Sequence, residues 1–350
     1  MKNFLSLFIF AIALFGCKSK SSLSILNENK TSFSIDTLFS DKISIRAILI
    51  DKNKVWYAAD KNRFGYYDLK KNRRVELKIN KDSLQFEFRS IAQNNHFIFI
   101  LSVGNPALLY KIDKYDLSYK LVHQENHEKV FYDAIHFIDN KKGIAIGDPT
   151  EDTFSIITTV DGGATWNKIP SNNLPKLVLG EAAFAASNTN ICVKGNRIFL
   201  VSGGIKSRVF VSDDFCKTWQ VYETPIIQGQ SMTGIFSADF LNEKTGIIVG
   251  GNYETQSDNN ANKAITFDGG QSWKLVGINQ GFGYASCVQF VPNTNGKSIL
   301  SVGTTGIYSS TNQGENWNKL SDDKELFTIR FQDSNTAFLA GKNKLVRIIL

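Results

Sequence analysis

An eight-residue pattern recurs through the chain from residue 159 onward and limits what it can fold into. Thr159-Val160-Asp161-Gly162-Gly163-Ala164-Thr165-Trp166 is the first copy, and Ser212-Asp213-Asp214-Phe215-Cys216-Lys217-Thr218-Trp219 the second. Thr266-Phe267-Asp268-Gly269-Gly270-Gln271-Ser272-Trp273 is the third. Ser310-Thr311-Asn312-Gln313-Gly314-Glu315-Asn316-Trp317 is the fourth and most worn. The consensus reads hydroxyl, any, Asp, any, Gly, any, hydroxyl, aromatic. An Asp carboxylate can accept from backbone N–H groups a few residues on and close a turn. The Gly that follows takes positive φ without steric cost. The Trp supplies a large apolar body with one donor. Asp161, Asp214, Asp268 and Asn312 are therefore expected to be structural. Cys216 replaces the Gly and Asn312 the Asp, so these two turns depart from the consensus; Asn tolerates left-handed geometry.

A longer period frames the pattern. Short apolar segments begin at Ile45-Arg46-Ala47-Ile48, Phe88-Arg89-Ser90-Ile91, Tyr132-Asp133-Ala134-Ile135, Gly180-Glu181-Ala182-Ala183, Thr233-Gly234-Ile235-Phe236, Tyr284-Ala285-Ser286-Cys287 and Phe327-Thr328-Ile329-Arg330. They recur at intervals of roughly 43 to 53 residues, the length of a four-stranded propeller blade. A second strand follows each start and commonly ends in Gly, as in Gly143-Ile144-Ala145-Ile146-Gly147. The expectation is an all-β, seven-bladed β-propeller with four-stranded antiparallel blades. The last repeat stops at Leu345-Val346-Arg347-Ile348-Ile349, one strand short. The alternating Phe33 to Phe39 segment is expected to supply the missing outer strand and close the ring.

The octapeptide resembles the Asp-box, or bacterial neuraminidase repeat, which closes an outer hairpin in certain propeller blades. From about residue 32 to 350 the chain also resembles photosystem II stability/assembly factor-like propellers. A Bacteroidetes group with the same blade order is similar too; some of its members carry the labels oxidoreductase or glycosyl hydrolase. The matching segments are Phe88-Arg89-Ser90-Ile91, Gly147-Asp148-Pro149, Gly180 to Ser187, Gly250-Gly251-Asn252-Tyr253 and Gly283-Tyr284. The resemblance implies architecture strongly and activity weakly.

The N-terminus reads as an address. Lys2 precedes an apolar run from Phe4 to Phe15, too short to span a bilayer as a helix. Leu14-Phe15-Gly16-Cys17 resembles a lipobox, so residues 1–16 are expected to be a lipoprotein signal peptide and Cys17 the lipidated N-terminus; a plain secretory signal is the alternative. Residues 17–31 read as a polar tether and 32–350 as one propeller. The protein is thus expected to be exported and lipid-anchored in a bacterial cell envelope, as a monomer. Without Cys17, three cysteines remain at irregular spacing, which is no disulfide framework.

Several chemistries lack their residues. The formal charge of +7 is scattered, with one basic cluster at Lys70-Lys71-Asn72-Arg73-Arg74, so nucleic acid is not an expected partner. His96, His123, His127 and His136 show no zinc spacing, and no metal is expected. Gly281-Phe282-Gly283-Tyr284-Ala285-Ser286 lacks the third Gly of a dinucleotide loop, and Val291 stands where a phosphate loop ending at Lys297-Ser298 needs Gly. No cofactor is expected. A sialidase would clamp a carboxylate with three Arg and use a Tyr–Glu pair; Arg46, Arg89, Glu181 and Tyr284 are present, but Arg330 is offset by two residues.

A polar channel mouth remains as the candidate site. It should gather Arg46, Arg89, Asp133 and Glu181, with Asn105, Asp148, Asn252, Tyr253 and Tyr284 around them. The reading is a non-catalytic binding or assembly scaffold for a protein or glycan partner. The alternative is a glycan-active enzyme using carboxylates of the same face. Ion pairing of the two Arg with the carboxylates, plugging the tunnel, is the competing structural role.

Overall fold

The computed structural model describes residues 33–81 and 84–350. The expected signal peptide, the Cys17 lipidation site and the tether lie outside the described residues. Among the described residues the single helical piece is a 3-10 turn at Ser171–Asn173; the rest is strand and turn. The chain is an all-β propeller.

The blade count expected from the sequence is corrected from seven to six. The strands form six hydrogen-bonded sheets, four of them with four strands and two extended to six. The reason lies in one uninterrupted strand. Ser34–Asp51 runs 18 residues and pairs on one side with Lys54–Ala59. Its first half pairs with the last strand, Thr336–Ile349, matching Ser34 to Ile349, Asp36 to Arg347 and Thr37 to Val346. A ladder that continues through one strand fuses what the repeat count divides. Leu326–Phe331, Thr336–Ile349, Ser34–Asp51, Lys54–Ala59, Arg63–Asp68 and Arg73–Lys78 therefore form one sheet holding both ends of the domain.

The fourth repeat is also displaced. Glu181–Ala182 does not lead its own blade; it pairs with Gly203–Gly204 at the margin of the next sheet. The inner strand of that blade is Ile191–Lys194. Of the intervening residues, 187–189 instead bond to inner strands of other blades.

Apolar residues at every second position pack between neighbouring sheets. Trp56 and Phe64 of the first sheet meet Phe88, Ile100 and Tyr110 of the second. Phe199 and Phe240 stack with centroids 3.6 Å apart across two further blades. Cys192, Cys216 and Cys287 are buried as free thiols.

The four octapeptides form one kind of turn. The Asp161 Oδ1 accepts from the Ala164 and Thr165 amides at 2.9 and 3.0 Å. The Asp214 Oδ1 does the same for Lys217 and Thr218, and the Asp268 Oδ1 for Gln271 and Ser272. Asn312 accepts from the Asn316 amide at 2.9 Å. The leading hydroxyl of each turn accepts from the amide four residues on, as Thr159 does from Gly163. At the second copy the left-handed backbone survives without Gly: Phe215 has φ 58° and Cys216 φ 67°. Those donors hold the Asp161 carboxyl down to about 2, with the Thr165 amide the largest cause.

Candidate functional site

Inner strands line the axis. The two ends of each lie about 10–13 Å apart for every four residues of strand. At the entry end, Arg46 and Arg89 are half-buried and Asp133 is fully buried. The Arg46 guanidinium lies 4.3 Å from the centroid of Phe327. The Nε atoms of both Arg46 and Arg89 are buried without a hydrogen-bond partner. Burial, and the neighbouring Arg89, hold the Arg46 guanidinium below its usual range.

Neither carboxylate oxygen of Asp133 has a partner in hydrogen-bonding geometry. Burial, then the nearby Asp148, push its carboxyl well above the ordinary range; Arg89 and the Ala185 and Asp148 amides offset only part of this. Asp148 is itself pushed up to about 7 by burial, against a bond from the Ala183 amide at 2.9 Å. The two acids form a coupled pair that resists holding two negative charges.

Tyr284 is buried, and its ring meets that of Tyr253 edge-on at 5.1 Å and that of Phe236 at 4.7 Å. Tyr253 remains 40% exposed. Arg46, Arg89, Tyr253 and Tyr284 are near enough to perturb one another electrostatically. The fold thus brings together Arg46, Arg89, Asp133, Asp148, Tyr253 and Tyr284.

Three expected site residues are occupied differently. Glu181 is buried and bound on both oxygens: Ser202 Oγ and Arg208 Nε donate to Oε1 at 2.6 and 2.9 Å, and Arg208 Nη2 to Oε2 at 2.5 Å. Asn252 Oδ1 is taken by the Glu254 and Thr255 amides, as a turn cap. Asn105 is exposed, before Pro106. The expected cross-mouth ion pairs are not the ones formed. Arg89 pairs with Glu87 at 2.9 Å and Glu181 with Arg208.

Sequence reasoning missed a segment that bonds to several inner strands at once. Asn188 Nδ2 donates to the Ile91 carbonyl at 2.8 Å, and its Oδ1 accepts from the Ile135 amide at 2.9 Å. Ser187 Oγ donates to the Ser286 carbonyl at 2.6 Å, and Thr189 Oγ1 to Ser237 Oγ at 2.8 Å. Arg330 Nη2 donates to the Ser187 carbonyl at 3.1 Å. Residues 187–189 thereby bond to four inner strands and to Ser286, which precedes a fifth, as a plug between them. Beyond this plug lies a cavity of 480 Å³ whose polar lining includes Gln93, His136, Lys194, Asp239, Gln289 and Arg330. One polar residue near the end of each of six inner strands is the signal that marks it in the sequence.

No family model matches the chain, and no curated protein does. Solved structures do. YCF48 bound to a D1 peptide is 13% identical, with a TM-score of 0.64 over 91% of this chain and 97% of that one. YCF48 from Cyanidioschyzon merolae is 11% identical, with a TM-score of 0.62 over 91% and 98%. U3-55K is 11% identical, with a TM-score of 0.62 over 90% and 98%. At such identities the likeness speaks for the fold, and the chain is a propeller similar in shape to YCF48.

Proposed function

We propose that this propeller is a non-catalytic binding or assembly scaffold, tethered to the cell envelope through Cys17, that captures a polypeptide at its Arg46–Arg89 mouth. The observation that carries the reading is the pair of buried guanidinium nitrogens left without partners there, Nε of Arg46 and Nε of Arg89, beside the desolvated Asp133. Desolvated polar groups without partners are costly alone and reward a ligand that satisfies them. Tyr253, backed edge-on by the buried Tyr284, offers the exposed aromatic surface that suits backbone and side-chain contacts. The D1 peptide held by YCF48 supports taking a propeller of this shape as a polypeptide binder. The glycan-active alternative would have to run on Asp133 and Asp148, because Glu181 is spent on Arg208.

The test is capture from the native envelope by the full chain and by an Arg46→Gln/Arg89→Gln variant, read by mass spectrometry. A protein retained by the wild type and reduced at least tenfold with the variant supports the proposal. Equal retention by both, or oligosaccharide turnover abolished by Asp148→Asn, overturns it.

A further inference from the structure

The cavity beyond the plug holds charges that do not pair with one another. Lys194 and Arg330 line it, and neither makes a salt bridge among the described residues. Asp239 faces them without a cation within salt-bridge distance; its Oδ2 accepts from the Phe290 amide at 2.8 Å. His136 shares the space and is held neutral, its imidazole pushed down to about 4 by burial and by Arg330 and Lys194. Two cations against one carboxylate leave one positive charge in excess. His136, Lys194, Asp239, Gln289 and Arg330 are all half-buried, so they keep contact with solvent. The Arg330 guanidinium is fixed in place by the Ile329 and Ser187 carbonyls. Lys194 has no such restraint and is free to swing toward a ligand.

We propose that this cavity binds the carboxylate group of a small organic monoanion. A single negative charge balances the excess cation, whereas a divalent anion would meet Asp239. Lys194 supplies the mobile charge, Arg330 a fixed one, and the neutral imidazole of His136 a hydrogen bond. The site lies on the far side of the plug from the Arg46–Arg89 mouth and does not depend on the reading given to that mouth. The carboxylate has two possible sources, a free acid or the C-terminus of a short peptide.

Calorimetric titration of the full chain tests this with benzoate, its uncharged analogue benzamide, inorganic phosphate, and trialanine with a free or an amidated C-terminus. Saturable benzoate binding is expected, with benzamide and phosphate at least tenfold weaker. Lys194→Gln should weaken benzoate about tenfold, and Lys194→Arg should restore it. Trialanine binding tighter than benzoate, and lost on amidation, assigns the carboxylate to a chain terminus; benzoate binding tighter assigns it to a free acid. Benzamide or phosphate binding as well as benzoate, no saturable binding, or an unchanged affinity in Lys194→Gln overturns the proposal. A readout on the wild type alone is the His136 imidazole resonance, which must move on adding benzoate and must stay still with benzamide.

Discussion

At the scale of single residues, the two buried acids Asp133 and Asp148 make a claim about pH. Asp148 has an ordinary carboxyl value of 3.8 and is raised to about 7 in the fold. A raised carboxyl contributes stability that is fully present below about 3.8 and is lost as pH rises through about 7. Asp133 shifts in the same direction and reinforces the trend. Asp148→Asn keeps an oxygen for the Ala183 amide and removes the titration. The wild type should therefore lose melting temperature between pH 4 and 7 relative to the variant, and the two curves should run parallel above pH 8. Thermal melts across that range decide it; parallel curves throughout would refute the shift. Sequence places Asp133 and Asp148 near strand ends next to apolar runs, and the fold sets Asp148 close enough to raise the Asp133 carboxyl. It could not foresee that Glu181 would be claimed by Arg208, since the partners are 27 residues apart and meet only through packing.

At the scale of elements, local chemistry was the legible part. The octapeptide turns are built from side chains bonding amides three or four residues on, so their geometry is written in contiguous sequence. They persist at Phe215 and Cys216, where positive φ costs a side chain about 1–2 kcal/mol, because the Ser212 and Asp214 bonds outweigh the strain. The plug was not legible, since its partners lie as far as 143 residues away. Asn188 tests its weight. It has φ 59° and bridges two inner strands through its amide. Asn188→Gly removes the bridge but accepts the backbone, and each buried group left unsatisfied costs about 1–3 kcal/mol. Asn188→Ala adds left-handed strain of about 1–2 kcal/mol. Denaturant unfolding should rank wild type above Gly above Ala, with Gly lower by about 2 kcal/mol. Variants within 0.5 kcal/mol of wild type, on the order of ordinary surface changes, would remove the plug's structural role.

At the scale of the whole molecule, the question is what holds the ring shut. Repeat counting treated the N-terminal strand as an addition to one blade and the following strand as the start of another. Hydrogen bonding makes them one strand, so the two ends of the domain share a single sheet. Residues 34–40 cover Leu345, Val346 and Ile348, all buried, while Leu38 and Phe39 pack on the neighbouring core. Arg347 donates to Asp36 at 2.6 Å, and Arg74 lies 4.3 Å from the Phe39 centroid. A chain beginning at Asp41 loses that ladder and exposes those side chains, whereas one beginning at Phe33 keeps both. The stripped strand becomes a free edge that water can partly satisfy, so the cost is set mainly by lost apolar burial at about 25 cal/mol per Å². A loss of several kcal/mol is large against a total of about 5–15 kcal/mol. The chain from Asp41 should melt about 10 °C or more below the chain from Phe33, given roughly 2–4 °C per kcal/mol for a large domain. The fall should also appear as loss of protection of the Leu345 to Ile349 amides in hydrogen exchange before any other strand opens. Equal melting temperatures, or protection of those amides kept to the global unfolding limit, would mean that the fused sheet closes the ring without residues 34–40.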